Sequence, residues 1–326
     1  MVGEFTLIQK YFGGKSTSAG NGEGVIVGIG DDAALLQPAS DTQLVTATDT
    51  LVAGVHFPHD APADLIARRA LRVNLSDMAA MGATPRWFTL ALTLPSAEEQ
   101  WLAEFSKGLS EDARRFACHL VGGDTTRGPL TITLSLLGEV SRGQALLRSG
   151  AKAGDLLYVS GQLGLAAAAL KFLNIAESEL QDWQKSLLDH YYLPEPQIRL
   201  GLVLAEFASS TIDISDGLLA DVGHIAQQSR VKIQVDAHKL PTLPTLHQYF
   251  PADVVQSWLL TGGDDYQLCF TVPENRVAML EKRLSGLPFN VTAIGKVLEN
   301  SENGEVVCLD ATGNRVTLPT GGYQHF

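Results

Sequence analysis

Cysteine is scarce in this chain. Cys118, Cys269 and Cys308 are scattered through 326 residues, and no two form a C-x-x-C pair. That spacing argues against a disulfide framework and against a tetrahedral zinc site, and it points to a reducing cytoplasm. Positive charge is thin as well: 24 Lys and Arg stand against 36 Asp and Glu, for a formal net charge of −12. Such a balance argues against a nucleic-acid partner, which needs a basic face, and against adsorption to an anionic membrane. No apolar run reaches the roughly 18 residues that a membrane helix needs. The opening Met1-Val2-Gly3-Glu4-Phe5 lacks a basic n-region and a long apolar core, so no secretory signal is expected. What is present is ordinary for a globular protein: 45% hydrophobic and 18% charged residues, over a length that suits about two domains.

The distinctive feature is an acidic pattern that recurs. The apolar run 117–121 ends in Gly122-Gly123-Asp124-Thr125-Thr126-Arg127-Gly128-Pro129, which places Asp124 at the mouth of a strand. Asp31 and Asp32 follow Gly28-Ile29-Gly30 after an apolar run at 25–27. A strand at 44–48 is ended by Asp49, in the context Thr46-Ala47-Thr48-Asp49-Thr50. Asn74 and Asp77 lie three apart, on one face of a helix over 64–81 that Gly82 terminates. A buried Asn and Asp there need partners. Asp213-Ile214-Ser215-Asp216-Gly217 follows a strand at 211–214, and Gly262-Gly263-Asp264-Asp265-Tyr266 follows a helix at 253–260. Alone, glycines and an aspartate after a strand make only a turn. Six acidic stations, each next to glycine or hydroxyl residues and with few cations nearby, suggest a purpose. Two carboxylates about 4 Å apart repel by roughly 4 kcal/mol at an effective dielectric of 20. Stations that converge therefore need a cation, and an oxygen-only donor set suits Mg²⁺, which completes its shell with water and phosphate.

Two motifs mislead. Gly13-Gly14-Lys15-Ser16-Thr17 imitates the end of a P-loop, but position 9 is Gln where a glycine is required, so 13–24 reads as a flexible loop. The segment 28–33 satisfies G-x-G-x-x-A, yet Asp31 and Asp32 would then face a dinucleotide diphosphate without a cation.

The remaining elements alternate between helix and strand. A short amphipathic helix is expected over 4–12, and strands over 88–94 and 130–140. Between those strands a helix runs from 95–99 to about 117, with Ser96 and Glu99 as a capping box. Residues 141–155 form a basic, glycine-rich stretch in an acidic chain; they read as the domain junction, with Arg148 able to reach a phosphate. Beyond it come strands at 156–160, 231–235, 267–271 and 291–297, with helices at 163–173, 178–192, 196–208 and 274–284. Strand alternation sends Asp213 and Ser215 to one side, and Asp216 is placed to N-cap the helix that runs to about 229.

Taken together, these motifs resemble the thiamine-monophosphate kinase family. The resemblance starts at Gly3-Glu4-Phe5 and covers nearly the whole chain. It is carried by GIGDD at 28–32, TDTLV at 48–52, GVHF at 54–57, ALRVNLSDMAAMGA at 70–83, GGDTTRGP at 122–129, RSGA at 148–151 and IDISDGL at 212–218. It implies an α/β (α+β) protein of two mixed domains with the aminoimidazole-ribonucleotide-synthetase-like fold, residues 1–141 and 142–326, with the active site in the cleft between them. It also implies a homodimer formed through N-terminal strands. The reaction implied is ATP plus thiamine monophosphate giving ADP plus thiamine diphosphate, with several Mg²⁺ ions. By motif, Asp32, Thr48, Asp49, Asp77, Asp124, Asp213 and Asp216 would hold metal; Gly123, Asp124, Arg148 and Ser215 would hold ATP, with Asp124 and Arg148 central to catalysis; His56, Asp264 and Tyr323 would contact the thiamine substrate. The family's G-G-E-D-Y-E-L is G-G-D-D-Y-Q-L here, so Asp264 is one methylene shorter than the family's residue and Gln267 removes a charge. Other readings are an aminoimidazole ribonucleotide or selenophosphate synthetase of the same fold, or a metal-binding protein without catalysis.

Overall fold

A computed structural model describes residues 4–13 and 23–316. Tyr323 and most of the expected loop at 13–24 lie outside those residues. The chain divides into two compact units, Met1–Met78 with Ala83–Gly143, and Ala79–Gly82 with Gln144–Phe326.

The first unit opens with α1 (Glu4–Leu7), extended by a π-helical turn, Ile8–Phe12. The short strands β1 (Val25–Val27) and β2 (Leu35–Leu36) pair antiparallel around the Asp31–Asp32 loop. The main sheet holds β3 (Thr42–Val52), β4 (Thr84–Leu94), β5 (His119–Arg127) and β6 (Thr131–Ser141), in the order β3-β6-β4-β5 with only β4 and β5 parallel. Its helices are α2 (Ala63–Ala80) and α3 (Glu99–Arg115). Period-two burial divides the sheet's faces. Leu51, Leu90, Leu92, Ile132 and Leu134 are buried, as are Ile66, Leu71 and Met78 of α2 and Phe105 of α3. A Cβ on Gly138 of β6 would lie 2.7 Å from the Met78 sulfur, which shows how closely α2 lies on the sheet. The opposite face carries Thr48, Thr50, Thr133 and Ser135, which hydrogen bond as Thr48–Ser135 and Thr50–Thr133 pairs, each at 2.9 Å. Buried Asp112 of α3 ties the helices together, accepting from Arg72 Nε and Nη2 at 2.5 and 3.1 Å and from Arg68 Nε at 3.2 Å.

The second unit is built on a six-stranded sheet in the order β12-β9-β11-β7-β10-β8. Its strands are β7 (Leu156–Ser160), β8 (Ser210–Asp213), β9 (Val231–Asp236), β10 (Leu268–Val272), β11 (Val291–Asn300) and β12 (Glu305–Leu309). All neighbours are antiparallel except β9 and β12. The helices are α4 (Leu165–Ala169), α5 (Asp182–Tyr192), α6 (Ile198–Leu204), α7 (Leu218–Ser229), α8 (Pro244–Tyr249), α9 (Ala252–Thr261) and α10 (Glu274–Leu284). Cys118 of the first unit and Cys269 and Cys308 of the second are free and buried.

Several local expectations are corrected. Asp49 does not end its strand: β3 runs on to Val52 because its pairing with β6 continues unbroken to Thr131. Likewise β5 passes straight through Gly122, Gly123 and Asp124, with Val121 as one extra residue between the Phe88–Leu120 and Thr89–Gly122 pairs. The bulge and the lost side chains let this edge strand stay paired where a turn was expected. Ser96 makes no capping box; its hydroxyl donates to Glu98 Oε1 at 3.0 Å, and α3 starts at Glu99. Gly217, not Asp216, is the N-cap residue of α7, and β8 stops at Asp213, so strand alternation does not reach Ser215.

Candidate active site

In the first unit, a cavity of about 840 Å³ brings together two acidic stations far apart in sequence. Asp31 and Asp32 line it from the loop after β1, and Gly122, Gly123 and Asp124 line it from β5. Asp32 and Asp124 are both exposed. Gly123 belongs here because its backbone runs against Leu90 of β4 too closely for a side chain.

Asp49 of β3 is tied to α2, the helix that carries Asp77, through Asn74. β3 is an edge strand, and its Asp49 N–H is met by Asn74 Oδ1 of α2 at 3.1 Å, while Asn74 Nδ2 donates to the Ala70 carbonyl at 3.0 Å. The buried Asn thus finds the partners that its sequence position required. One turn on, Asp77 is the only half-buried residue in an otherwise buried run, 70–80. Thr48 is on the other face: its side chain is exposed and its hydroxyl donates to Ser135. Consecutive strand residues point oppositely, so the Thr48 hydroxyl and the Asp49 carboxylate do not meet. His56 lies in the turn after β3, where its Nδ1 accepts the Val52 N–H at 3.0 Å. That bond leaves the neutral ring's proton on Nε2.

In the second unit, Asp213, Ser215, Asp216 and Asp264 gather at one edge of the sheet. Asp264 N donates to the Ser215 carbonyl at 2.9 Å, and Tyr266 N donates to that of Ile214 at 2.8 Å. Asp264 and Tyr266 both have positive φ, 69° and 49°, and the Tyr266 hydroxyl donates to Asp264 Oδ1 at 3.0 Å. Two strained residues on either side of Asp265 persist only where neighbours fix them, and such strain gathers at functional sites.

Three residues that hold these loops in place were given no such part by the sequence analysis. Asp221, buried inside α7, turns its Oδ2 back to accept the N–H groups of Ser215, Asp216 and Gly217 at 3.0, 3.2 and 3.2 Å. Burial, then the charges of Asp213 and Asp216, push its carboxyl up to about 8, against the pull of those N–H donors. Asp265 accepts the Gly164 N–H at 2.8 Å before α4, and its burial pushes it up to about 7. Ser229, the last residue of α7, pins the turn that carries exposed Arg148: its hydroxyl donates to the Arg148 carbonyl at 3.1 Å and accepts from Gly150 and Ala151 at 3.1 and 3.2 Å. An aspartate four residues into a helix that follows Ser-Asp-Gly was a readable signal for Asp221; for Asp265 and Ser229, which act over 101 and 81 residues, local sequence held none.

Every candidate ligand is an oxygen donor, as Mg²⁺ requires. Among the described residues, no group of three or more His, Cys, Asp or Glu side chains converges tightly enough to hold a metal without further ligands. Mg²⁺ commonly takes only one or two carboxylates and completes its shell with water and phosphate, so the donor set fits this ion in the presence of nucleotide.

Residues 30–140 match the AIR synthase related protein N-terminal domain, and residues 152–308 match the C-terminal domain of the same family. The thiamine-monophosphate kinase of Escherichia coli K12 is 44% identical, with 99% of this chain and 98% of that protein aligned. Among solved structures, the thiamine-monophosphate kinase of Stenotrophomonas maltophilia K279a superposes with a TM-score of 0.82 at 44% identity, covering 88% of this chain and 91% of that one. AaThiL complexed with AMPPCP and TMP superposes at 0.77 and 31% identity, covering 99% and 96%.

Proposed function

The chain belongs to the thiamine-monophosphate kinase family of AIR synthase related proteins, and on that premise we propose that it transfers the γ-phosphoryl group of ATP directly to the phosphate of thiamine monophosphate. The products are ADP and thiamine diphosphate. The observation that carries this reading is likeness over almost the full length, together with Asp32, Gly123 and Asp124 lining one cavity.

The chemistry asks little covalent work of the protein. The bond from the γ-phosphorus to its bridging oxygen breaks, and a terminal oxygen of thiamine monophosphate forms the new bond. The electron pair leaves with ADP. The acceptor is a phosphate monoester whose second pKa is about 6, so it arrives largely as the dianion and needs no general base. Catalysis is then positioning plus charge neutralisation. Asp32 and Asp124 in the first unit, Asp49 with Asp77 beside Asn74, and Asp213 with Asp216 in the second unit are the residues that would hold Mg²⁺; when bound, that ion offsets the charge of the phosphate oxygens. Thr48 would contribute through its backbone carbonyl or through an Oγ already engaged with Ser135. Arg148 and Ser215 would hold the nucleotide phosphates, and the Gly123 backbone would admit them closely. His56, with Nε2–H directed by the Val52 bond, and Asp264 would meet the thiamine substrate, with Tyr323 supplying an aromatic face for its cationic thiazolium.

Leu44 is 52% exposed on the sheet face opposite the helices, beside the hydroxyl pairs of β3 and β6; that face supports a homodimer formed through these strands. No helix of the described residues is long and apolar enough to cross a membrane, and the three thiols are unpaired, which suits a cytoplasmic enzyme. The decisive experiment is ADP release from ATP and Mg²⁺ with thiamine monophosphate or with unphosphorylated thiamine as acceptor. Turnover is expected only with the monophosphate. Mg²⁺ binding with no ADP release from either acceptor would overturn the kinase reading.

A further inference from the structure

The turn that presents Asp213, Ser215 and Asp216 is organised around a carboxylate for which the phosphoryl transfer itself has no use. Asp221 is 2% exposed, and its Oδ2 receives three consecutive backbone N–H groups, those of Ser215, Asp216 and Gly217. Its own N–H donates to the Gly217 carbonyl at 3.0 Å, so backbone and side chain close the same turn from both ends. From the other side the turn is held just as tightly. Asp264 N donates to the Ser215 carbonyl, and a Cβ on Gly263 would lie 2.4 Å from that oxygen. Gly217 has φ +119°, and a Cβ there would come within 2.7 Å of the Thr261 carbonyl.

We propose that Asp221 is a positioning residue for the transfer site, fixing the turn so that Asp213, Ser215 and Asp216 keep the arrangement that receives metal and nucleotide phosphate. This inference rests on the functional reading of those three residues given above. The residue type follows from the task. All three N–H groups converge on the one oxygen Oδ2, which faces them as an acceptor. Asparagine replaces one of the two oxygens with an NH₂, which can donate but not accept, so one of its two amide orientations sets donors against the three N–H groups. A serine would not reach.

The test compares Asp221→Asn and Asp221→Ala with Asp216→Asn and Asp124→Asn. The first readout is amide hydrogen exchange at Ser215, Asp216 and Gly217 without Mg²⁺ or nucleotide. The second is Mn²⁺ binding by electron paramagnetic resonance, and the third is the Mg²⁺ dependence of turnover. For Asp221→Asn, exchange at the three amides should speed up about tenfold, Mn²⁺ affinity should fall about tenfold, and the Mg²⁺ needed for half-maximal rate should rise to match, as for residues that orient metal ligands. KM for thiamine monophosphate should stay within about threefold, and excess Mg²⁺ should restore part of the rate. A purely structural role would lower the folded fraction while leaving Mn²⁺ affinity and Mg²⁺ dependence unchanged, and that result overturns the proposal. If neither Asp221 variant folds, the wild-type exchange decides: fast exchange at all three amides overturns it, and protection well above that of an exposed turn sustains it. If Asp216→Asn and Asp124→Asn leave ADP release intact, the functional reading falls and this inference with it. If they abolish ADP release while Asp221→Asn changes neither exchange nor metal dependence, only the positioning role falls.

Discussion

Gly123 and Leu90 face each other across neighbouring strands with no room for a side chain: a Cβ on Gly123 would lie 2.0 Å from the Leu90 carbonyl oxygen. The glycine is therefore required by the sheet itself. Gly123→Ala should cost at least about 2 kcal/mol through overpacking and backbone shift. Differential scanning calorimetry should show a melting temperature lower by several degrees, on the scale of about 2–4 °C per kcal/mol for a unit of this size. An unchanged melting temperature would mean that β5 can move away from β4.

Asp124 is exposed on that same strand, so its charge is not part of the fold. Asp124→Asn should leave the melting temperature nearly unchanged, within about 0.5 kcal/mol. Turnover should fall by about a hundredfold or more if the carboxylate holds Mg²⁺ beside the transferring phosphate. Steady-state ADP release compared with calorimetry on the same preparation separates the two effects. Near-normal turnover would remove Asp124 from the site.

Opposite faces of β3 separate Thr48 from Asp49. Thr48→Val removes a hydroxyl bonded only to Ser135 among the described residues and should lower kcat less than about tenfold. Asp49→Asn should lower it about a hundredfold or more and raise the Mg²⁺ requirement. Equal losses in the two variants would show that the Thr48 side chain is itself a ligand.

The Asp112 carboxylate is enclosed by Arg68 and Arg72, with Arg72 and Asp112 almost fully buried. Asp112→Ala leaves the buried guanidinium uncompensated and should cost about 3–5 kcal/mol. Urea unfolding of the variant should show the lower midpoint, while the Mg²⁺ dependence of whatever folds should match wild type. A shifted Mg²⁺ dependence would tie this clamp to the site.

Asp265 sets a pH dependence. Burial raises its folded carboxyl to about 7, above the 3.8 of an unperturbed aspartate. An unfolded chain gives up that proton first, so the folded state is favoured most below about 4. That advantage is lost as pH rises toward 7 and is constant above it. Asp265→Asn keeps an oxygen for the Gly164 N–H and removes the titration. Its melting temperature relative to wild type should therefore rise between pH 4 and pH 7. A flat difference over that range would show that the backbone donors hold Asp265 ionised throughout.

Where one stretch of chain contained both the cause and the effect, the sequence was readable. Gly82 has φ +65° at the end of α2, where a C-terminal glycine was expected, and the alternation of Thr131, Thr133 and Ser135 matched β6. The acidic stations were legible one by one. What failed was anything decided by a distant partner. The strand through Gly122 and Asp124 exists because β4 pairs with it, and Asn74 is satisfied by a strand 25 residues away. Asp216 resembled a helix cap, but Gly217 holds that position, and the Asp216 N–H is itself bound by the Asp221 carboxyl from inside the helix. Helix propensity describes what a segment prefers alone, and tertiary pairing overrides it.

The buried thiols give the protein a built-in gauge of its own breathing. Cys118 lies in one unit and Cys269 and Cys308 in the other, and burial lifts all three away from the reactive thiolate, Cys308 to about 11. A thiol reagent can then label each site only when its surroundings open. The rate at which each cysteine is capped would time the opening of its own unit, with no probe added to the chain.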